Sequence, residues 1–109
     1  MEEMTLRELC QTLNISRRAV QGYEKANLVH ATGKNKMGYL LYNKDAQQRI
    51  RWISQLQQFG FQIKEIVHLM DIPPTELKPQ LERQLQNLRQ KQEALHTTIE
   101  ELQKVIQSL

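Results

Sequence analysis

Apolar side chains recur along this chain in three successive rhythms, each predicting a different element. Leu6, Leu9, Cys10 and Leu13 fall at i, i+3, i+4 and i+7, the spacing of one face of a short helix. Thr5 stands where an N-cap belongs, and Glu8 three residues on closes a capping box. Asn14-Ile15 leaves room for a tight turn only, because Ser16 caps the next helix at once. In that second helix Val20 and Tyr23, with Leu28 beyond them, form the buried side. Arg17, Arg18, Gln21 and Lys25 lie on its other faces. Asn27 is suited to end it in a left-handed backbone. Two short helices joined by so brief a turn form a helix-turn-helix pattern.

The rhythm then changes. Residues 30–38 are rich in turn formers and basic. Tyr39 to Tyr42 are aromatic and aliphatic, which suits one strand of a two-stranded wing. Asn43 caps a third helix running to about Phe59, with the stripe Ala46, Ile50, Ile53 and Leu56 and Trp52 beside it. Gly60 breaks it, and Phe61 leads into a fourth helix carrying Ile63, Ile66, Val67, Leu69 and Met70. Asp71-Ile72-Pro73-Pro74 marks the clearest boundary, since consecutive prolines end one helix and prepare another.

From Thr75, expected to cap, with Pro79 in about the first turn, a third rhythm takes over. Leu81, Leu88, Leu95, Leu102 and Leu109 are seven apart and take position d of a heptad. Lys78, Leu85, Gln92, Ile99 and Ile106 take position a. A repeat sustained over more than four heptads is a specific coiled-coil signal, and the helix it implies is about 50 Å long. The polar Lys78 and Gln92 lower stability and fix register. A helix with this seam needs a partner, which predicts dimerisation through Leu81, Leu85, Leu88, Leu95, Ile99, Leu102, Ile106 and Leu109.

Charge sharpens the picture. Of 109 residues, 1–70 hold ten Lys/Arg against six Asp/Glu, a net of +4, whereas 71–109 hold five against six, a net of −1. A basic front half fits a polyanion, though surplus charge by itself is common on solvated surfaces. Cys10 is the single cysteine, so an intramolecular disulfide and a cysteine-based zinc site are excluded. It reads as a small core residue, because a thiolate is disfavoured on an apolar stripe. His30, His68 and His96 are scattered, with no second His or Cys at i, i+4. Nucleophile–base pairs, phosphate-cradling glycine loops and paired carboxylates are missing, so no enzyme, metal or cofactor is expected. The N-terminus has no signal core and no apolar run reaches the length of a membrane span, which predicts a cytoplasmic chain.

The candidate chemistry is that of DNA recognition. Arg17 and Arg18 suit guanine edges or phosphates equally, or a merely solvated surface; their place in the first turn of a second helix, with a wing following, favours DNA. Ser16 caps that helix and is counted with the DNA-binding residues at its start. Gln21, one turn on, suits adenine or plain solvent. Tyr23 offers a ring for the core and a hydroxyl for phosphate. Lys34 and Lys36 fit phosphates, and Tyr39 and Tyr42 fit either backbone contact or packing within the wing.

The order of these motifs resembles the MerR family of transcription regulators. In the second helix Ser16, Arg18, Tyr23 and Glu24 match that family's pattern. In the wing Gly38, Tyr39 and Tyr42 match, and Asp45, Ile53, Gly60-Phe61, Glu65-Ile66 and Leu69 match in the helix pair after it. Three positions depart from it: Gln21-Gly22 stands where the family often has Arg-Tyr, and Leu40 where the wing has Arg. Each swap removes a donor or an aromatic, which bears on affinity and on the operator read. The chain ends on the last heptad and so resembles the short members without an effector domain.

The resemblance implies a mainly α fold: a winged helix-turn-helix DNA-binding domain over residues 1–72, then a long dimerisation helix over 73–109 forming an antiparallel coiled coil. It implies a homodimer on double-stranded DNA at a pseudo-palindromic promoter site, distorting the spacer for RNA polymerase. A second reading, from the three departures, is a protein-interaction or architectural module with weak, non-specific DNA binding.

Overall fold

In a computed structural model that describes residues 2–109, the chain divides into two compact units, one ending at Asp71 and one starting at Ile72. The element order of the first unit is β1 (Met4–Thr5), α1 (Leu6–Leu13), α2 (Arg17–Lys25), β2 (Gly33–Lys34), β3 (Leu40–Tyr42), α3 (Lys44–Gln58) and α4 (Ile63–Leu69). The second unit is a single helix, α5 (Pro74–Ser108). The fold is mainly helical, as the hydrophobic rhythm predicts.

Local chemistry fixes the helix ends. The Thr5 hydroxyl accepts from the Glu8 N–H, and the Glu8 carboxylate accepts from the Thr5 N–H at 3.0 Å, completing the capping box. The same Thr5 N–H holds the Glu8 carboxyl below its ordinary range. Asn14 turns the chain left-handed at φ 54°, and the Ile15 N–H donates to the Cys10 carbonyl at 3.0 Å. Ser16 Oγ accepts from the Ala19 N–H at 3.0 Å, and Asn43 Oδ1 from the Ala46 N–H at 2.9 Å. Asn27, at φ 63°, ends the turn after α2.

The core of the first unit joins all its helices. Leu9 of α1, Val20 and Tyr23 of α2, Ala46, Ile50, Ile53 and Leu56 of α3, and Ile66 and Leu69 of α4 are buried, with Leu28 and Val29 from the connection after α2. Most are positions the helical spacing selects, but Leu6, Cys10, Leu13, Ile63 and Met70 are only half-buried, and Val67 is exposed. Burial still pushes the Cys10 thiol up, away from thiolate.

The sheet differs from expectation. A third strand, β1, pairs antiparallel with β3, Met4 opposite Tyr42 and Thr5 opposite Leu41. The strand β2 pairs on the other side, Gly33 opposite Leu41 and Lys34 opposite Leu40. Two residues are too few to show alternation, and Thr5 serves as both strand and cap.

The start of α5 is also corrected. Pro73, not Thr75, occupies the N-cap, and its carbonyl accepts from the N–H groups of Glu76 and Leu77 at 2.9 Å. Pro74 takes the first helical position, where its fixed φ is already helical and its missing N–H costs nothing. Starting two residues earlier puts Pro79 inside the helix, in its second turn, rather than in its first. There it removes one backbone hydrogen bond.

Candidate nucleic-acid interface

The helix α2 presents its charged side outward. Ser16, Arg17, Arg18, Gln21 and Lys25 are all exposed, while Val20 and Tyr23 point into the core. No acidic residue stands in the first turn of α2. Two guanidinium groups therefore share the end of the helix where unpaired N–H groups already favour an anion. Gly22 lies on the exposed side as well, and a side chain there would meet nothing within 4 Å.

Tyr23 sits differently from the expectation of an outward hydroxyl. Its ring is buried and its hydroxyl donates to Gln57 Oε1 on α3 at 2.6 Å. Burial, offset in part by a hydrogen bond with Ser54, raises this phenol. The tyrosine therefore anchors α2 against α3.

The two wing tyrosines part company. Tyr42 is 0% exposed, and its hydroxyl donates to Glu24 Oε1 on α2 at 2.6 Å. Burial first, and then the neighbouring Glu24 carboxylate, push its phenol far up, so it remains a neutral donor. No surface of Tyr42 is left for a ligand in this conformation, which removes it as a direct contact; strand alternation puts it on the inner face. Tyr39, at the tip, is 57% exposed.

Lys34, the last residue of β2, and Lys36, inside the turn, are both exposed. Asn35 organises that turn. Its side-chain oxygen accepts from the N–H groups of both Met37 and Tyr39 at 3.0 Å, and its own N–H donates to the Tyr39 carbonyl at 3.0 Å. Gly38 supplies a φ of 84°, which a side chain would strain. At the wing base the Thr32 N–H donates to the Leu41 carbonyl at 2.8 Å, and Thr32 Oγ1 accepts from the Asn43 N–H at 2.7 Å.

Three supporting residues escaped the sequence reading: Glu24 as the acceptor for Tyr42, Gln57 as the acceptor for Tyr23, and Asn35. Only Asn35 left a local signal, an Asn three residues before a Gly in a turn. On α5, seven of the eight predicted seam residues are exposed, and Leu81 is half-buried. Among the described residues no group of three metal-ligating side chains comes together, and no helix is long and apolar enough to cross a membrane.

Known proteins share this arrangement. The family model described as MerR HTH family regulatory protein matches residues 4–71, and a second, described as MerR, DNA binding, matches residues 47–109. The HTH-type transcriptional activator mta of Bacillus subtilis is 22% identical over 95% of this chain and 40% of its own length. The chain spans 27 to 49% of the length of the first curated relatives it matches. Among solved structures, a MerR family transcriptional regulator from Bacillus cereus superposes with a TM-score of 0.79 at 23% identity, covering 94% of this chain and 78% of that one. HiNmlR, a MerR family regulator lacking the sensor domain and bound to promoter DNA, superposes with a TM-score of 0.70 at 18% identity, covering 90% and 79%. With the two family models covering the whole of the described fold from β1 onward, the chain belongs to the MerR family of HTH regulatory proteins.

Proposed function

We propose that this chain is a sequence-specific DNA-binding transcriptional regulator, working as a homodimer on a pseudo-palindromic promoter site. The observation that carries the reading is the exposed face of α2: Arg17, Arg18 and Gln21 project outward while Tyr23 and Val20 lock the helix to the core. A helix held this way enters a major groove as a rigid body, with its N-terminal residues at base edges. Lys34 and Lys36 on the wing meet flanking phosphates, and their contribution makes binding salt-dependent.

Dimerisation follows from α5. Seven of its eight seam residues are exposed and Leu81 is half-buried, and eight apolar side chains at heptad spacing need a second helix to cover them. A two-fold dimer reads a two-fold site. We further propose that the two α5 helices run antiparallel, as the family resemblance implies, and that the bound promoter is bent and untwisted so that RNA polymerase engages both of its elements. HiNmlR, bound to promoter DNA in its crystal structure, supports the DNA-binding part of the reading.

The test is selection of bound sequences from a random duplex library by the full chain near physiological salt. Recovery of a two-fold symmetric site supports the reading. Recovery of no shared sequence overturns it in favour of an architectural or protein-interaction module.

A further inference from the structure

Gly22 is a glycine that its own fold does not require. The described residues with positive φ are Asn14, Asn27, Gly38 and Gly60, so Gly22 is not there to turn the chain left-handed. A Cβ built on it would meet nothing within 4 Å, so it is not there to let another element pack close. It stands inside α2, where glycine weakens a helix relative to alanine. Neither backbone conformation nor packing within the first unit accounts for it. The remaining use of a glycine is close approach of the backbone by something outside the chain.

The position of Gly22 on the helix narrows what approaches. Val20 and Tyr23 mark the inner side of α2, whereas Gly22 is exposed together with Arg18, Gln21 and Lys25. Gly22 follows Arg18 by four residues, which places it about 40° round the helix from that arginine. Long polar side chains therefore border a position that has none, leaving a notch in the outer face. The Gly22 carbonyl already accepts from the Ala26 N–H at 3.0 Å. What the notch turns outward is the α-methylene, an apolar surface.

We propose that Gly22 determines specificity in the DNA site, its notch receiving the methyl group of a thymine beside an adenine read by Gln21. The inference deepens the DNA-binding reading above and rests on it. In the major groove the thymine methyl is the apolar group that projects from the base edges, and glutamine pairs bidentately with adenine N6 and N7. Gln21-Gly22 stands where the resembled family often has Arg-Tyr. An arginine favours guanine, so the exchange moves the preference of this turn of the helix toward adenine–thymine pairs.

The experiment measures affinity, by fluorescence anisotropy, on the duplex recovered by selection and on copies in which each thymine of one half-site is replaced in turn by deoxyuridine. That replacement removes only the methyl. The parent chain is expected to lose roughly fourfold at one thymine position, the worth of one buried methyl. Gly22→Ala puts a Cβ where that methyl sits. The variant should bind the thymine duplex roughly tenfold more weakly than the parent, as overpacking does, and regain affinity when deoxyuridine stands at that same position. Its melting temperature should not fall, so the loss is not one of folding. Parental affinity at every deoxyuridine substitution overturns the notch. So does a Gly22→Ala loss that is equal on thymine and deoxyuridine duplexes, which assigns the glycine to approach by some other part of the duplex. If the parent chain selects no duplex at all, the underlying DNA-binding reading falls and takes the notch with it, a result distinct from a selected duplex that is indifferent to its methyls.

Discussion

The hydroxyl of Tyr42 donates to Oε1 of Glu24 across 2.6 Å, tying the central strand of the wing to the helix that carries Arg17 and Arg18. A buried hydroxyl bonded to a carboxylate contributes more than a neutral pair. Tyr42→Phe keeps the ring and removes the bond. The expected loss is about 1–2 kcal/mol. For a domain of this size each kcal/mol lowers the melting temperature by roughly 4–8 °C. Thermal unfolding followed by circular dichroism checks it. Glu24→Gln retains an acceptor and should lose less.

Gly22 is the weak point of α2. A helical glycine costs about 0.8–1 kcal/mol relative to alanine, and the space around this one is open. Gly22→Ala is therefore expected to stabilise the protein by roughly 0.5–1 kcal/mol. A denaturant midpoint shifted upward with an unchanged slope is the result that agrees. A lower midpoint would mean that the helix needs glycine for a reason its geometry does not show.

The capping box at the start of α1 makes stability pH-dependent. Glu8 has its carboxyl lowered by the Thr5 N–H, so the folded state holds the ionised form more tightly than the unfolded chain does. Its contribution is complete above the ordinary carboxylate range and disappears as pH falls through the lowered folded value. Subtracting the acid limb of the Glu8→Gln stability curve from that of the parent should leave a difference that shrinks toward zero in acid. A difference constant across that range would contradict the box.

An antiparallel pair of α5 helices sets position a of one against position d of the other. With the two-fold axis between Glu93 and Ala94, Leu81 faces Ile106, Leu85 faces Leu102, Leu88 faces Ile99 and Gln92 faces Leu95. Every seam position of α5 then finds a counterpart, and Lys78 meets Leu109. In a parallel pair each Lys78 would face its own copy, like charge against like. In a Cys10→Ser background, mixing Leu85→Cys and Leu102→Cys proteins under oxidising conditions should give a crosslinked dimer, and neither protein should crosslink alone. Crosslinking of either alone would show the parallel arrangement.

What the sequence revealed was whatever neighbouring residues decide. Thr5, Ser16 and Asn43 cap helices through N–H groups three residues away, and the buried stripe of α3 follows from spacing alone. What it concealed depends on distance along the chain. Tyr23 and Gln57 are 34 residues apart, so no local pattern could show that the Tyr23 hydroxyl turns inward. Tyr42 reads equally as inner or outer until the register of β3 against β1 is known. Pro74 outcompeted Thr75 for the start of α5 because a fixed φ outweighs a side-chain cap, and that displaced Pro79 into the second turn.

In the function proposed above, the exposed N-terminal end of α2 reads base edges. That reading is tested most directly by the affinity of Arg18→Ala for the selected duplex and for a scrambled duplex of the same length and salt. A base-reading arginine contributes about 1–3 kcal/mol of discrimination. A loss of roughly tenfold to more than a hundredfold is expected on the selected site, with much less on the scrambled one. Equal affinity of variant and parent for the selected site would contradict it.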